Sequence, residues 1–271
     1  MGALDWLQRG YGLARSAAIY HGNPLKRRRA RAFYGVFVRP GDLCFDIGAH
    51  LGDRTGHFLA LGARVVALEP QPGPLAVLRR LYGRHPRVVI IAAAAGAAPG
   101  EAELAIDPAN PTVASLSPEW RAQVSRDESF SAIRWRERRR VTVTTLDALI
   151  AAHGLPAFCK IDVEGFEAEV LKGLTRPIPA LSIEYIPAAL EGALAALDRL
   201  AELGPYRLNR SAGESMRFAA PDWRSPRGMI DELCRLRPAD GSGDIYARLA
   251  GQPAIESSEF CVYRPAARLE G

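Results

Sequence analysis

The sequence predicts an α/β fold in which a mostly parallel sheet is covered by helices on both faces. Short apolar runs alternate along the chain with amphipathic segments of helical period, the pattern of repeated β–α units. The first apolar run leads into two glycines four positions apart, Gly48 and Gly52, which predicts a tight turn into a helix. Two late runs follow each other without a helix between them, which predicts an antiparallel hairpin at the end of the sheet.

Bulk composition indicates a globular protein with one substantial core. Of the 271 residues, 48% are hydrophobic and 24% are charged. No apolar run approaches the ~20 residues that cross a bilayer, and the first twenty residues lack the compact apolar segment of a secretory signal. Cys44 and Cys159 lie inside apolar runs, where reduced, buried thiols are expected. We therefore expect a cytoplasmic protein without a transmembrane segment.

The strands of the main domain are predicted from apolar runs, and the helices from apolar stripes that end at glycine or proline. The third run is apolar without interruption, which predicts burial on both faces. The predicted strands are Leu43–Ile47, Val65–Leu68, Val88–Ala92, Ala157–Val163, Ala180–Ile186 and the hairpin pair Tyr206–Asn209 and Ser215–Ala219. The predicted helices lie around Leu25–Phe37, Asp53–Leu61, from Pro72 to Tyr82, from Leu146 to His153, Phe166–Leu171 and Leu190–Leu200.

We divide the chain into three parts. Residues 1–40 predict an N-terminal helical arm, residues 41–220 the main domain, and residues 221–271 a C-terminal tail or appendage. Residues 97–144 interrupt the β–α alternation with a polar, proline-containing span between two short strands. Long ordered connections are often lids or binding loops. We therefore expect this insertion on the substrate side of the domain.

Acidic residues follow several of the predicted strands. Asp46 and Glu69 end the first two strands, and Asp162 and Glu164 follow the fourth. Ligands of open α/β sheets bind at the carboxyl ends of the strands. These side chains are therefore expected to lie in one binding site.

The turn after the first strand disfavours a dinucleotide. A dinucleotide-binding turn has the pattern G-x-G-x-x-G, whereas His50 stands here in place of the middle glycine. The carboxylate of Asp46, two residues before Gly48, would repel a pyrophosphate but suits a cationic ligand. S-adenosylmethionine (SAM) carries an ammonium and a sulfonium group and no phosphate. Its ribose hydroxyls could bind Glu69, so the pattern favours SAM as the cofactor.

The same residues resemble the FkbM-type SAM-dependent methyltransferase family over roughly residues 40–190. The resemblance is carried by Asp46–Gly52 with Thr55, Glu69-Pro70, Thr145–Asp147, and Lys160–Gly165 with Glu167. It implies a Rossmann-like class I methyltransferase sheet and O-methylation of a hydroxyl on a small molecule or glycan. The family usually has asparagine at the position of His50.

The resemblance also implies roles for individual residues at the cofactor. Asp46, Thr55 and the backbone from Gly48 to Gly52 would hold the methionine portion of SAM. Glu69 and Pro70 would bind the ribose, and the small side chains of Ala93 and Ala94 would border the adenine. Read alone, Asp46 could instead be a helix cap. His50 is interpreted as a hydrogen-bond partner of SAM, with general base as the alternative.

Asp162 and Glu164 are the predicted catalytic residues, because methylation of a hydroxyl needs a group that removes its proton. Glu164 could alternatively cap the next helix, and Asp162 could only orient the acceptor. A divalent metal ion between Asp162 and Glu184 is conceivable, but the sequence shows no third ligand. No metal ligands are therefore predicted.

Two other functions were weighed against this prediction. Methylation of RNA is suggested by the basic clusters Lys26–Arg29 and Arg134–Arg140. It is disfavoured because no Asn-Pro-Pro-Tyr-type block follows the fourth strand, so nucleic acid is not an expected partner. A non-catalytic SAM-binding scaffold would show the same cofactor motifs. The sequence predicts neither the acceptor's identity nor the oligomeric state.

Overall fold

The computed structural model describes residues 24–251, which form a central sheet with helices on both faces. In chain order the elements are α1 (Pro24–Tyr34), β1 (Leu43–Ile47), α2 (Asp53–Ala60), β2 (Arg64–Leu68), α3 (Pro72–Tyr82), β3 (Val88–Ile91), β4 (Ala94–Ala95), β5 (Gly100–Ile106), α4 (Pro118–Val124), β6 (Glu137–Thr144), α5 (Leu146–His153), β7 (Phe158–Ile161), α6 (Glu167–Lys172), β8 (Ala180–Tyr185), α7 (Leu190–Leu203), β9 (Tyr206–Ala212), α8 (Pro226–Leu233) and β10 (Gly243–Leu249).

The central sheet has seven strands in the order β3-β2-β1-β7-β8-β10-β9. Neighbours from β3 to β8 pair in parallel, whereas β10 is antiparallel to both β8 and β9. Counted in chain order within this sheet, the arrangement is 3-2-1-4-5-7-6, so the first five strands follow the Rossmann order. The prediction of a Rossmann-like, mostly parallel sheet with helices on both faces is confirmed.

The two faces of the sheet are covered by different helices, because successive side chains of a strand point to opposite faces. On one face, Phe45 and Ile161 pack in the core cluster that includes residues of α5, α6, α7 and α8. On the other face, Cys44 and Phe158 pack in a second cluster with residues of α1, α2 and α3. The sheet is therefore held between two cores, with its strand ends open at one edge.

Helix α1 is packed against this second face rather than projecting as an arm. Phe33 and Tyr34 are fully buried. Their rings belong to an aromatic cluster with Phe37, Phe158 and Tyr246. The first predicted helix of residues 1–40 lies outside the described residues, as does the end of the predicted tail beyond residue 251.

Two sequence-based expectations about strands are wrong. β3 is the edge strand, and Val89 is 45% exposed, so its apolar run does not indicate burial on both faces. Residues 215–219 form no strand; the antiparallel partner of β9 is β10, at residues 243–249. A strand of the central sheet therefore lies in the part of the chain that was expected to be a tail.

The insertion forms a small structure of its own beside the sheet. β4, β6 and β5 make a three-stranded sheet, in which β5 and β6 pair antiparallel as expected from the two predicted strands. No helix between residues 24 and 251 has the length and apolar character needed to cross a bilayer.

Candidate functional site

A cleft of about 890 Å³, counted out to its open mouth, lies at the carboxyl ends of β1, β2, β7 and β8. It contains most of the residues that the sequence predicts for the site. The predicted residues that line it are Gly48, His50, Glu69, Pro70, Ala93, Ala94, Asp162 and Glu164. The insertion contributes further wall residues, among them Leu104 and Thr112.

Gly48 brings the turn after β1 against the loop after β7. Its backbone has φ +78°, in the left-handed region. A Cβ atom at this position would lie 1.9 Å from the carbonyl oxygen of Asp162. Only glycine fits such a backbone contact without strain. The glycine therefore holds Asp162 next to the turn.

Glu69 is fixed in orientation by two backbone donors. The N–H of His50 donates to Oε2 at 2.8 Å, and the N–H of Gln71 donates to Oε1 at 2.7 Å. The side chain is almost fully buried, and this burial raises the pKa of Glu69 to about 7. The end of β2 thus presents a pre-oriented carboxyl group to the cleft.

Three predicted cofactor residues do not line the cleft. Asp46 is buried and accepts a hydrogen bond from Oγ1 of Thr55 at 2.6 Å. Gly52 lies under Leu78 and Tyr82, whose side chains would meet a Cβ atom at 2.6 Å. The expected contact of Asp46, Gly52 and Thr55 with a ligand is therefore corrected: these residues support the turn from behind.

Asp162 is paired with a buried lysine that the sequence analysis assigned no role. The Nζ atom of Lys160 donates to Oδ2 of Asp162 at 2.5 Å and lies 3.9 Å from Asp244. Burial by itself raises the pKa of Asp162, but the charge and hydrogen bond of Lys160 outweigh it and hold that pKa below its usual value. Asp162 therefore stays ionised at neutral pH.

Glu164 differs from Asp162 because no cation pairs with its side chain among the described residues. Its backbone has φ +53°. Glu167 supports the loop by accepting hydrogen bonds from the N–H groups of Val163 and Gly165 at 3.1 and 3.4 Å. Burial first, and then the charges of Asp162 and Glu167, raise the pKa of Glu164 well above its usual value.

Glu184, at the end of β8, brings a third carboxylate to the same place. Carboxylate oxygens of Asp162, Glu164 and Glu184 lie within 4.8 Å of one another. The expectation that Asp162 and Glu184 lack a third neighbouring ligand is therefore wrong, because Glu164 occupies that position. Burial and the neighbouring Glu164 raise the pKa of Glu184 well above its usual value.

His50 is poorly suited to act as a base. Burial lowers the pKa of His50 to about 4, so its ring is neutral at physiological pH and holds a second proton weakly. A neutral ring that lines the cleft can still donate or accept one hydrogen bond. The geometry favours the hydrogen-bonding role that was preferred from the sequence.

Sequence reasoning missed the ion pair that closes one side of the cleft. Glu214, in the turn after β9, lines the cleft, and both of its carboxylate oxygens accept from Nη2 of Arg54 at 2.7 Å. Arg54 also donates to Asp53 at 2.6 Å. The available signal was an arginine directly after the glycine turn; its partner is 160 residues away in the sequence.

The family model described as Methyltransferase FkbM domain matches residues 46–202, which is more than half of the chain. The chain belongs to the FkbM methyltransferase family. The matched residues contain the glycine turn, Glu69 and the Asp162–Gly165 loop. The sequence-based assignment to this family is confirmed.

Other similarities to this FkbM family member are partial or distant. The "31-O-demethyl-FK506 methyltransferase FkbM" of Streptomyces tacrolimicus is 44% identical over 54 residues, which are 19% of this chain and 21% of that protein. The match thus spans about a fifth of the relative's length. The O-methyltransferase from Bacillus cereus is 12% identical and has a TM-score of 0.44, covering 92% of this chain and 91% of that chain. Precorrin-6y C5,15-methyltransferase from Geobacter metallireducens GS-15 is 14% identical with a TM-score of 0.42, covering 81% and 87%. The family assignment does not depend on these structures.

Proposed function

We propose that the protein transfers a methyl group from SAM to a hydroxyl group of a small molecule or glycan. The observation that carries this proposal is the shared cleft, which joins the turn at Gly48 and the carboxyl of Glu69 to the carboxyl of Glu164. One end of the cleft suits a nucleoside and the other offers a base. Both are needed for methyl transfer to an alcohol.

The residues present fit SAM. Glu69 is oriented for the ribose hydroxyls, and the small side chains of Ala93 and Ala94 leave room for a flat ring. No lysine or arginine of residues 24–251 lines the cleft. This electrostatic environment suits a cofactor with a sulfonium and an ammonium group and disfavours a phosphate.

The carboxylates of the cleft have separable roles in this reaction. SAM, when bound, supplies an electrophilic methyl group, whose transfer to the acceptor oxygen leaves a neutral thioether. Glu164 accepts the hydroxyl proton, because its raised pKa makes it a stronger base than Asp162. Asp162, held ionised by Lys160, orients the acceptor. Leu104 and Thr112 of the insertion form the wall of the acceptor pocket.

The choice of oxygen as the methyl acceptor rests on this base and on the relative whose name specifies O-methylation. Methylation of RNA gains no support from the basic clusters. Arg138 and Arg140 on β6 are paired with Glu103 and Glu101 of β5 at 3.2 and 3.5 Å. A non-catalytic scaffold would not need a carboxyl group of raised pKa beside the cofactor end of the cleft.

Activity measurements on Glu164→Gln and Asp162→Asn test the proposal. The assay screens hydroxylated acceptors with labelled SAM. Glu164→Gln is expected to bind SAM normally and to lose kcat by about 10²- to 10⁴-fold, the range for removal of a general base. Asp162→Asn is expected to lose less kcat and to raise the acceptor KM.

Glu103→Gln, at an exposed position on β5, is the matched control and should keep full activity. Full activity in Glu164→Gln would show that the base is assigned to the wrong residue. Methyl transfer to no hydroxylated acceptor, despite SAM binding, would contradict the O-methylation proposal.

A further inference from the structure

Glu184 is the cleft carboxylate whose charge is least accounted for. Glu69 has two N–H donors, Asp162 has Lys160, and Glu214 has Arg54. Within residues 24–251, the side chain of Glu184 has neither a hydrogen-bond donor nor a cationic partner, although it lines the cleft and is partly buried. A carboxylate removed from water without a partner carries an uncompensated desolvation penalty. A ligand that supplies the missing charge relieves it.

We propose that the methyl acceptor is an amino alcohol whose ammonium group binds to Glu184 while its hydroxyl group lies at Glu164. This inference rests on the proposed function and adds the chemical class of the acceptor to it. Glu184 then acts as a specificity-determining residue, and Glu164 remains the catalytic base.

An ammonium group fits both the shape and the charge of this end of the cleft. It carries three donors around one nitrogen atom. Oxygens of Asp162, Glu164 and Glu184 lie within 4.8 Å of one another, close enough for one nitrogen to contact more than one of them. The nearby cations Lys160 and Arg54 are buried and already paired with Asp162 and Glu214. They therefore leave the charge of Glu184 for a ligand.

The acceptor's charge also prepares the base. The groups that face Glu184 are the acids Glu164, Asp162 and Glu167 and the cation Lys160. With more acids than cations here, repulsion adds to burial in raising the pKa of Glu164 and Glu184. An ammonium group at Glu184 offsets that repulsion. Binding of the acceptor therefore releases a proton and leaves Glu164 ionised beside the hydroxyl.

Calorimetric titration of the full chain, saturated with S-adenosylhomocysteine, tests the inference. The probes are ethanolamine, glucosamine and galactosamine, each paired with its N-acetyl derivative, which has the same hydroxyl groups and no charge. Binding of at least one amine is expected, with its N-acetyl partner at least tenfold weaker. Titration in two buffers of different ionisation enthalpy is expected to show proton release with the amine.

The Glu184→Gln variant should lose the tenfold preference, whereas Glu103→Gln should keep it. Circular dichroism checks that both variants are folded. Lack of binding by every amine, equal binding of amines and N-acetyl derivatives, or a preference unchanged in Glu184→Gln would overturn the inference.

Two further arms separate the remaining outcomes. Titration with Mg²⁺ or Mn²⁺ alone should show no Glu184-dependent binding, and metal binding that Glu184→Gln abolishes would overturn the ammonium assignment. Failure to bind S-adenosylhomocysteine and SAM would contradict the proposed function itself. Binding of the cofactor without discrimination among the probes contradicts only the inference about the acceptor.

Discussion

Two carboxylates that are two residues apart have opposite pKa shifts, and a single lysine accounts for the difference. Lys160 and Asp162 are also two residues apart, so their side chains leave the strand on the same face and can pair. Glu164 lies beyond the strand, in a loop with left-handed backbone, and has no such partner among the described residues. The pairing of Lys160 with Asp162 could have been predicted from the sequence. The raised pKa of Glu164 could not, because it depends on burial by the folded chain.

Stability is predicted to depend on pH through Glu167, whose pKa burial raises from 4.5 to about 7. The folded protein then holds this proton more tightly than the unfolded chain. Stability from this group is therefore present below pH 4.5 and is lost as the pH rises through about 7. The loss amounts to about 3 kcal/mol, from about 1.4 kcal/mol for each unit of pKa.

Glu167→Gln is expected to reduce the fall in the free energy of unfolding between pH 5 and 8. Both hydrogen bonds to Glu167 are accepted by Oε1, so a glutamine oxygen can replace it. Urea unfolding across this range measures the effect, with Glu103→Gln as the control. An unchanged slope in Glu167→Gln would contradict the assigned pKa.

At the scale of elements, the site depends on the contact between the turn after β1 and the loop after β7. Gly48 belongs to the turn, and the backbone of Asp162 belongs to the loop. The strands that carry them pair in parallel along the centre of the sheet. The sequence identified both segments, but it could not show that a single glycine fixes their separation.

Gly48→Ala is predicted to destabilise the protein by roughly 2–4 kcal/mol, since the added methyl group meets the Asp162 carbonyl and the backbone has positive φ. Gly100→Ala is the matched control, because a Cβ atom there meets nothing within 4 Å. Chemical denaturation of both variants gives the comparison. Equal stability of the two variants would show that the contact at Gly48 is unimportant.

The strands predicted with accurate bounds are those in which local pattern decides the structure. β1 was placed at Leu43–Ile47, as observed, because an apolar run leads directly into the glycine turn. β10 was missed because its short apolar stretch, Ile245–Ala247, pairs with strands distant in the sequence. β3 was misjudged because apolar residues on an edge strand and on a central strand give the same pattern.

At the scale of the whole molecule, the protein combines a basic chain with an acidic cleft. The formal net charge is +5, yet the charged side chains that line the cleft are Glu69, Asp162, Glu164, Glu184 and Glu214. The family motifs predicted three of these carboxylates as site residues. The other two, Glu184 and Glu214, join the site through tertiary structure, which a motif cannot report.

The central claim is that this cleft binds SAM, with Glu69 at the ribose. Isothermal titration of SAM into the protein tests it most directly, with Glu69→Ala as the variant and Glu103→Gln as the control. We predict that the wild-type protein and the control bind one SAM per chain. Glu69→Ala should bind about 10- to 100-fold more weakly, as expected for lost hydrogen bonds to a charged acceptor. No binding of SAM by the wild-type protein, or equal affinity in Glu69→Ala, would contradict the account.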